Sequence, residues 1–271
     1  LAVLYPQDVV VVIHSPYITF TVEQSSKAGF DDVETLHAVI RKTEHPALNA
    51  TEVILDGCSR EDIEEAKQNF LTYTVVDLLE ETKFGEVYES EDSGPASIYV
   101  TGLKVATEEE FLFSYNITNT TKKIRDALNR ERSNVGRTAY TSRVKKILQA
   151  CESEEVAERL VDDLEKVQEG RNHDELSWKP IQVHAASVLN ARSEALFVTA
   201  EEQGQMKDLV ERARGNGKRG VTVANTTRQG LGSSSDVEGG EIRDVDLCQE
   251  EWSESIEFDW VDESKFSRDE R

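Results

Sequence analysis

The sequence predicts an α+β protein, and three observations lead to this fold class. β-branched and alternating segments fill the first 60 residues, a second group of such segments follows between residues 97 and 115, and helical periodicity dominates from residue 118 onward. We expect three regions: a β-rich region at 1–72, a β/α domain at 73–190, and a small α/β unit with an acidic tail at 191–271.

The first region contains four predicted strands. Residues 8–13 form a β-branched run that indicates a buried strand, and residues 17–22 alternate as in a half-buried one. Residues 34–40 and 51–55 supply two further candidates. Ser59, with Asp62 three residues later, is typical of a helix N-terminus and begins the helix that closes this region.

The middle region begins with residues 80–95, which are polar and predict a loop or a weak hairpin. Strands follow at 97–101, 103–106 and 111–115, and helices at 118–128, 137–149 and behind Ser153. The last helix carries an apolar stripe from Val156 to Val167, with glutamates in its first turn, where the helix dipole favours negative charge.

The last region predicts a strand at 195–199, a helix at 202–214 and a strand at 220–224. Short connections in this order favour a parallel pair of strands. Residues 229–240 are rich in Gly and Ser and predict a flexible surface loop. Residues 246–271 are acidic but contain aromatic side chains, so that we expect either a disordered tail or a segment that docks on another surface.

The composition restricts the classes of function. The chain of 271 residues has 53 acidic and 31 basic side chains, a net charge of -22, which in general repels nucleic acid. Such an excess of acids suits a high-salt cytoplasm, so that we expect a halophilic source or an ordinary acidic cytoplasmic protein. The three cysteines and five histidines show no spacing typical of a disulfide framework or a zinc site.

The apolar run at 9–13 is far too short to span a membrane, and no signal peptide is recognisable. We therefore expect a cytoplasmic protein without a membrane partner. The chain opens on Leu1 instead of Met and reaches a predicted strand within a few residues, which leads us to expect a piece of a longer polypeptide.

Residues 122–146, here called the basic segment, stand out in this acidic chain. Nine Lys or Arg side chains oppose only Asp126 and Glu131, a local charge of +7. The segment could face a phosphate-bearing ligand or an acidic surface of the same protein. DNA is a further candidate, because several cations on one face gain from counterion release, although the rest of the chain opposes it.

Three stretches resemble the later part of a GHKL-type ATPase, the superfamily of gyrase, the heat-shock-90 chaperone, histidine kinases and MutL. DVVVVIHSPYITFTV at 8–22 resembles the strands that follow the second glycine box. NATEVI at 49–54 is similar to the strand near the adenine, with Ala50 in place of the family's Gly. IYVTGLKVATEEEFLFSYNI at 98–117, followed by LNRER at 128–132, resembles the transducer domain. The resemblance covers roughly residues 1–150.

The resemblance implies specific site residues. A transducer Lys or Arg of this family reaches the terminal phosphate of ATP, which points to Arg130, Arg132 and Arg137. Structural pairing with nearby acids is the alternative for these arginines. Thr51 lies where the family approaches the adenine. No E-x-x-x-N helix, D-x-G-x-G motif or glycine-rich lid precedes these stretches, so that no catalytic residue can be assigned.

These features predict part of a GHKL-like ATP-binding protein that couples nucleotide state to a partner or to DNA. ATP and Mg²⁺ are expected only in the intact protein, with an ATPase half lying upstream and a homodimer as a further expectation. Two alternatives stay open: a non-catalytic module that binds an acidic protein partner, and a component of a DNA-processing or defence system.

Overall fold

The structure is a computed structural model that describes residues 10–27, 30–42, 50–90, 94–131, 135–166, 173–193 and 195–255. It divides into two compact units, Leu1–Asn69 and Phe70–Arg271. Both contain sheets, and helices concentrate in the second unit, which confirms the predicted α+β class.

The first unit is a four-stranded antiparallel sheet in the order β3-β2-β1-β4. Its strands are β1 (Val10–His14), β2 (Ile18–Lys27), β3 (Phe30–Lys42) and β4 (Glu52–Asp56). Helix α1 (Arg60–Lys67) follows β4. Ser59 caps it as predicted, because its hydroxyl accepts a hydrogen bond from Asp62 N while the Asp62 carboxylate accepts one from Ser59 N.

The two faces of this sheet differ in polarity, one being almost wholly apolar and the other mixing Val10, Val12, Val39 and Ile54 with polar side chains. Partners in the antiparallel register share a face, and successive residues of a strand alternate between faces. One face, here called the apolar face, carries Val11, Ile13, Ile18, Phe20, Val22, Ala38, Ile40, Val53 and Leu55, with Lys42 at its margin. The opposite face holds polar pairs such as Arg41 with Glu23, 2.5 Å apart.

The second unit is built on a five-stranded sheet in the order β5-β6-β9-β7-β8. Its strands are β5 (Leu78–Thr82), β6 (Gly85–Glu89), β7 (Ala96–Val100), β8 (Leu103–Glu108) and β9 (Phe113–Ile117). Neighbours are antiparallel except β7 and β9, which run parallel. Strands β7 and β9 are buried along their whole length, although Ser97, Ser114 and Asn116 lie among their apolar residues.

Helices pack around this sheet and share its core. They are α2 (Lys122–Glu131), α3 (Thr141–Leu148), α4 (Glu154–Lys166) and α5 (Lys179–Arg192). One apolar core connects strand residues such as Val87 and Phe113 with helix residues such as Leu160 and Leu189. No helix among the described residues is long and apolar enough to cross a bilayer.

The C-terminal part of this unit contains a parallel pair of strands, β10 (Ala195–Val198) and β11 (Arg219–Thr222). The helices around it are α6 (Ala200–Gln205), α7 (Lys207–Gly215), α8 (Asn225–Leu231) and α9 (Val245–Ser255). The parallel pairing confirms the prediction from the strand-helix-strand order. A second, smaller core includes Leu196, Val210 and Val245.

Several predicted elements need correction. The helix expected at 202–214 begins earlier, at the Thr199 cap, and is interrupted at Met206, whose φ of -115° and ψ of 39° are not helical. The flexible loop expected at 229–240 begins inside α8, and Asp236 then ties the following turn together by accepting hydrogen bonds from Glu238 N and Gly240 N. The predicted tail at 246–271 is helical up to Ser255, and residues 256–271 lie outside the described part of the chain.

The two units of the structure differ in part from the three predicted regions. The two units separate between Asn69 and Phe70, three residues from the expected boundary after residue 72. The main core contains Val87 as well as Val221 and Ile242, so that residues on both sides of the expected boundary at 190 share one interior.

The turn between β5 and β6 depends on Gly85. A Cβ atom at this position would lie 2.3 Å from the carbonyl oxygen of Asn116 and 2.7 Å from Ile147 Cδ1. Both atoms belong to the packed interior, so that neither can move away without disturbing the sheet or α3.

We therefore expect Gly85→Ala to lower the free energy of unfolding of the second unit by about 3 kcal/mol or more. Gly136→Ala serves as the control, because no atom lies within 4 Å of a Cβ built there. Its effect should stay within about 0.5 kcal/mol. Urea unfolding followed by circular dichroism measures both, and equal stability of the two variants would contradict the tight turn.

Candidate functional site

The basic segment lies on α2, a 3-10 turn at Arg137–Ala139 and α3, with residues 132–134 outside the described part. Two of its long side chains bind main-chain oxygens near their own helices. Lys123 Nζ donates to Thr138 O at 2.5 Å, and Arg125 donates to Thr120 O at 3.0 Å. The Lys123 contact holds α2 against the turn that precedes α3, whereas the Arg125 contact stays at the start of α2.

Arg137 is placed by ion pairs and an aromatic ring. Its guanidinium pairs with the carboxylates of Glu108 and Asp174, the nitrogen Nε lying 3.6 Å from Glu108 Oε1. The guanidinium carbon lies 4.7 Å from the centre of the Phe111 ring. Arg137 therefore bridges β8 and the segment before α5, and its charge is matched within the protein.

Tyr140 extends this network, because its hydroxyl donates a hydrogen bond to the Glu108 carboxylate. Burial and the neighbouring Glu108 raise the pKa of Tyr140 above its usual range. The phenol therefore stays protonated and keeps donating at any physiological pH.

The other predicted site residues have different surroundings. Arg130 lies on α2, but its side chain is outside the described part of the chain, as is the whole of Arg132. Thr51 belongs to the first unit, where it is exposed directly before β4. Of the predicted phosphate contacts, Arg137 is thus the one whose surroundings the structure describes.

A cluster of cations surrounds Phe84, in the turn between β5 and β6. Three side chains place their charge near this ring: Lys83 Nζ at 5.1 Å from the ring centre, Arg143 Cζ at 5.2 Å and Lys146 Nζ at 5.9 Å. Here we call these three residues with Phe84 the Phe84 cluster. Arg143 is buried, and its Nε has no hydrogen-bond partner among the described residues.

The sequence contains one signal for the burial of Arg143. The residue lies three positions after Tyr140 and four before Ile147, and both of these are buried on the inner face of α3 and the turn before it. Helical spacing thus places Arg143 on the inner face of α3, beside these apolar residues. Phe84, in a segment predicted to be a loop or a weak hairpin, offers no comparable signal.

Glu175 is a second buried charged group, and it fixes the start of β9. Its carboxylate accepts hydrogen bonds from Leu112 N at 3.0 Å and from the Tyr115 hydroxyl at 2.9 Å, with Phe113 N at 3.4 Å. Its side chain is fully inaccessible to solvent. Burial raises the pKa of Glu175 to about 7, although the donated hydrogen bonds oppose this effect.

Residues 61–154 match a protein family described as the Mycoplasma pneumoniae MPN635 N-terminal domain. This match contains the whole basic segment and the Phe84 cluster. The chain is 34% identical over 152 residues to an uncharacterized protein of Mycoplasma pneumoniae, an alignment that covers 55% of the chain and 60% of the relative. A second uncharacterized protein of the same organism is 30% identical over 154 residues, covering 56% of the chain and 43% of the relative.

The chain thus aligns with 60% and 43% of the length of these two curated relatives. No solved structure matches the chain. The comparisons therefore locate a shared region around the basic segment and leave its activity to be argued from the structure.

The raised pKa of Glu175 predicts a specific pH dependence of stability. Because the folded pKa of about 7 lies above the ordinary value of 4.5, the folded protein binds this proton more tightly than the unfolded chain. The associated stability is complete below about pH 4.5 and is lost as the pH rises through 7, amounting to about 3 kcal/mol.

Glu175→Gln should remove this component, while Glu109→Gln, which changes an exposed glutamate, should keep the wild-type profile. The measurement is the free energy of unfolding in urea at pH 5 and pH 8. If wild type and Glu175→Gln lose the same stability over this interval, Glu175 does not titrate in the folded protein as expected.

Proposed function

We propose that the chain is the coupling part of a larger GHKL-like ATP-binding protein, which transmits nucleotide state to a protein partner or to DNA. The observation that carries this proposal is the apolar face of the first unit, on which Ile40, Val53 and Leu55 are exposed although Val11 is buried. The proposal also rests on the resemblance of the two units, in chain order, to the end of an ATPase sheet and a transducer domain. We place the protein in the cytoplasm.

Several side chains of the apolar face are exposed to solvent, although an apolar sheet face is normally buried in the core of a domain. Ile40 is 65% exposed, Val53 57% and Leu55 48%, although their neighbours on the same face are also apolar. A sheet with one apolar face is normally covered by a second layer, usually of helices. Exposed apolar patches of this kind mark surfaces that bind another element or protein.

In this proposal, helices from outside residues 1–271 cover the apolar face and complete a nucleotide-binding domain. Thr51, which precedes β4, would then approach the adenine, and ATP with Mg²⁺ would bind only in the complete protein. The chain itself contributes part of the sheet and the coupling domain. No hydrolytic step is assigned to its residues.

Arg130, Arg132 and Arg137 keep their proposed role as phosphate contacts. For Arg137 this role has a requirement, because its side chain already has partners. Its ion pairs with Glu108 and Asp174 compete with any phosphate, so that binding to a nucleotide requires Arg137 to exchange partners. Such an exchange would release the segment before α5 from β8. This is one physical route by which a bound phosphate could alter the second unit.

A protein-interaction module without nucleotide is the second candidate, and a separate observation favours it. The beginning of the second unit exposes Phe70, Tyr73, Val75, Leu78 and Leu103, and Val75 is 97% exposed. Phe70 and Leu103 are joined by a β-bridge, so that part of this patch lies beside strand β8. Such a patch suits an apolar protein surface better than DNA.

Calorimetry with a non-hydrolysable ATP analogue tests the proposed function. The longer gene product, including sequence before Leu1, should bind the analogue, whereas the 271-residue chain should not. Val53→Asp should cost the longer protein about 2 kcal/mol or more of stability and weaken binding at least about tenfold, because it introduces a charge under the covering layer. In the 271-residue chain the same change should cost less than about 0.5 kcal/mol.

Ile54→Asp is the matched control, because Ile54 is adjacent on β4 and points to the opposite face. It should have little effect on nucleotide binding in the longer protein. The proposal fails if the longer protein binds no ATP analogue, or if Val53→Asp and Ile54→Asp behave alike there.

The arginine contacts have their own test in the longer protein. Alanine at Arg130, Arg132 or Arg137 should weaken binding of the ATP analogue about tenfold or more for at least one position, because a charge-assisted contact to phosphate is lost. Binding of adenosine, which has no phosphate, should change little. Unchanged affinity for the analogue in all three variants would exclude the assigned role.

A further inference from the structure

Strand β4 lies at one end of the four-stranded sheet. Among the described strands it pairs only with β1, in a continuous register from Glu52 to Asp56. All of its residues are exposed, Val53 at 57%, Ile54 at 40% and Leu55 at 48%. On such an end strand, the N–H and C=O groups of alternate residues point away from the sheet and can pair with a further strand.

Two other sheet edges are protected, which sets β4 apart. At the opposite end of the same sheet, β3 carries Arg41 and Lys42. In the second unit, Phe70 forms a bridge with Leu103 on the outer side of the end strand β8. Proteins block end strands with charged side chains and covering segments, because an open edge pairs with other chains. On β4 the three central residues are all apolar, and the strand contains no Lys, Arg or Pro.

A strand added to this edge would meet apolar side chains on both faces of the sheet. Val53 and Leu55 belong to the apolar face, whereas Ile54 lies on the opposite face, across from Val12 of β1. Strands that have apolar neighbours on both faces contain continuous runs of Val, Ile or Leu. The edge therefore favours a segment with consecutive apolar residues over one that alternates apolar and polar residues.

Two carboxylates mark the ends of this edge. Glu52 begins β4 and Asp56 ends it. Across β1 they face His14 and Val10, so that no Lys or Arg of the described sheet lies opposite either of them. Opposite charges on adjacent strands stabilise the pairing of the strands, and like charges weaken it. The edge therefore fits a segment that has a Lys or Arg at each end of three apolar residues.

A second copy of β4 does not fit this edge. Two antiparallel β4 strands centred on Ile54 would place Glu52 of each strand opposite Asp56 of the other. The net charge of -22 adds a general repulsion between two copies of the chain. The sequence also contains no stretch in which three apolar residues separate two Lys or Arg. The complementary strand therefore belongs to another polypeptide.

We propose that the outer edge of β4 binds an extended segment of a partner protein, in which a Lys or Arg stands at each end of three apolar residues. The main chain of this segment pairs with β4 as an additional strand of the sheet. Its cations lie beside Glu52 and Asp56, and its apolar side chains cover those of β4. This inference goes beyond the proposed coupling function, because it requires neither a nucleotide nor a covering layer on the apolar face.

A capped peptide of the order Lys-Val-Ile-Val-Lys is the probe, titrated into the 271-residue chain by calorimetry. We expect saturable binding, and binding at least about tenfold weaker for Glu-Val-Ile-Val-Glu, which has the same apolar centre. The double variant Glu52→Lys with Asp56→Lys should reverse this preference. Glu61→Lys with Glu65→Lys is the matched control, because it changes the net charge equally on exposed residues of α1. Its effect on affinity should stay below about twofold.

N-methylation of the peptide tests whether its main chain pairs with β4. In an added strand, one set of alternate amides faces β4 and the other set faces away. Methylating one set should therefore abolish binding, while methylating the other set should be tolerated. The test uses the unaltered chain, so that it does not depend on how the charge variants fold. Equal affinity of the two methylated peptides would show that no strand is added and would overturn the proposal.

The longer gene product distinguishes a partner protein from another part of the same polypeptide. The peptide should bind the longer protein about as tightly as it binds the 271-residue chain. Loss of binding there would mean that the polypeptide itself occupies β4, which contradicts the assignment to a partner. The proposal also fails if the 271-residue chain shows no saturable binding, or if the two double variants behave alike. None of these results affects the test of the coupling function, which measures binding of the ATP analogue.

Discussion

The second unit depends on the buried carboxylate of Glu175. Strand β9 is the centre of the five-stranded sheet, paired with β6 on one side and β7 on the other. Glu175 holds the beginning of this strand by accepting hydrogen bonds from Leu112 N and the Tyr115 hydroxyl. Because Glu175 itself belongs to the turn before α5, the same contact joins the sheet to this largely buried helix. A polar group thus connects the two layers inside a largely apolar core.

Several arginines of the second unit pair with more than one carboxylate, whereas Arg143 has no carboxylate partner among the described residues. Acids outnumber bases in this chain, so that cations find partners easily, and Arg137, Arg159 and Arg228 each contact at least two carboxylates. These pairs join segments that are far apart in sequence, such as α4 and β6. Arg143 is more buried than these three, and its guanidinium carbon lies 5.2 Å from the centre of the Phe84 ring.

Much of the fold could be predicted from the sequence because its signals are local. Apolar and β-branched runs located most strands of both units, and the Ser59 hydroxyl marks a real helix start. Strands β5 and β6 were missed, because they lie in or beside the polar residues 80–95 that predict a loop or a weak hairpin. Helix α5 escaped prediction, since it is buried on nearly all sides and its Ala, Ser and Asn residues leave no apolar stripe. The partners of Arg137 and the isolation of Arg143 depend on residues distant in the chain, which no spacing rule relates. Whether Arg130, Arg132 and Thr51 contact a nucleotide stays a prediction.

The apolar face has a further consequence for the behaviour of the chain in solution. Charge repulsion between molecules of net charge -22 keeps two such faces apart at low ionic strength. Added salt shortens the range of that repulsion to a few ångströms but leaves the attraction between apolar surfaces intact or strengthens it. The chain should therefore self-associate as the salt concentration rises, the reverse of proteins held together by ion pairs. A covering layer on the sheet would abolish this salt response while leaving the charge of the chain unchanged.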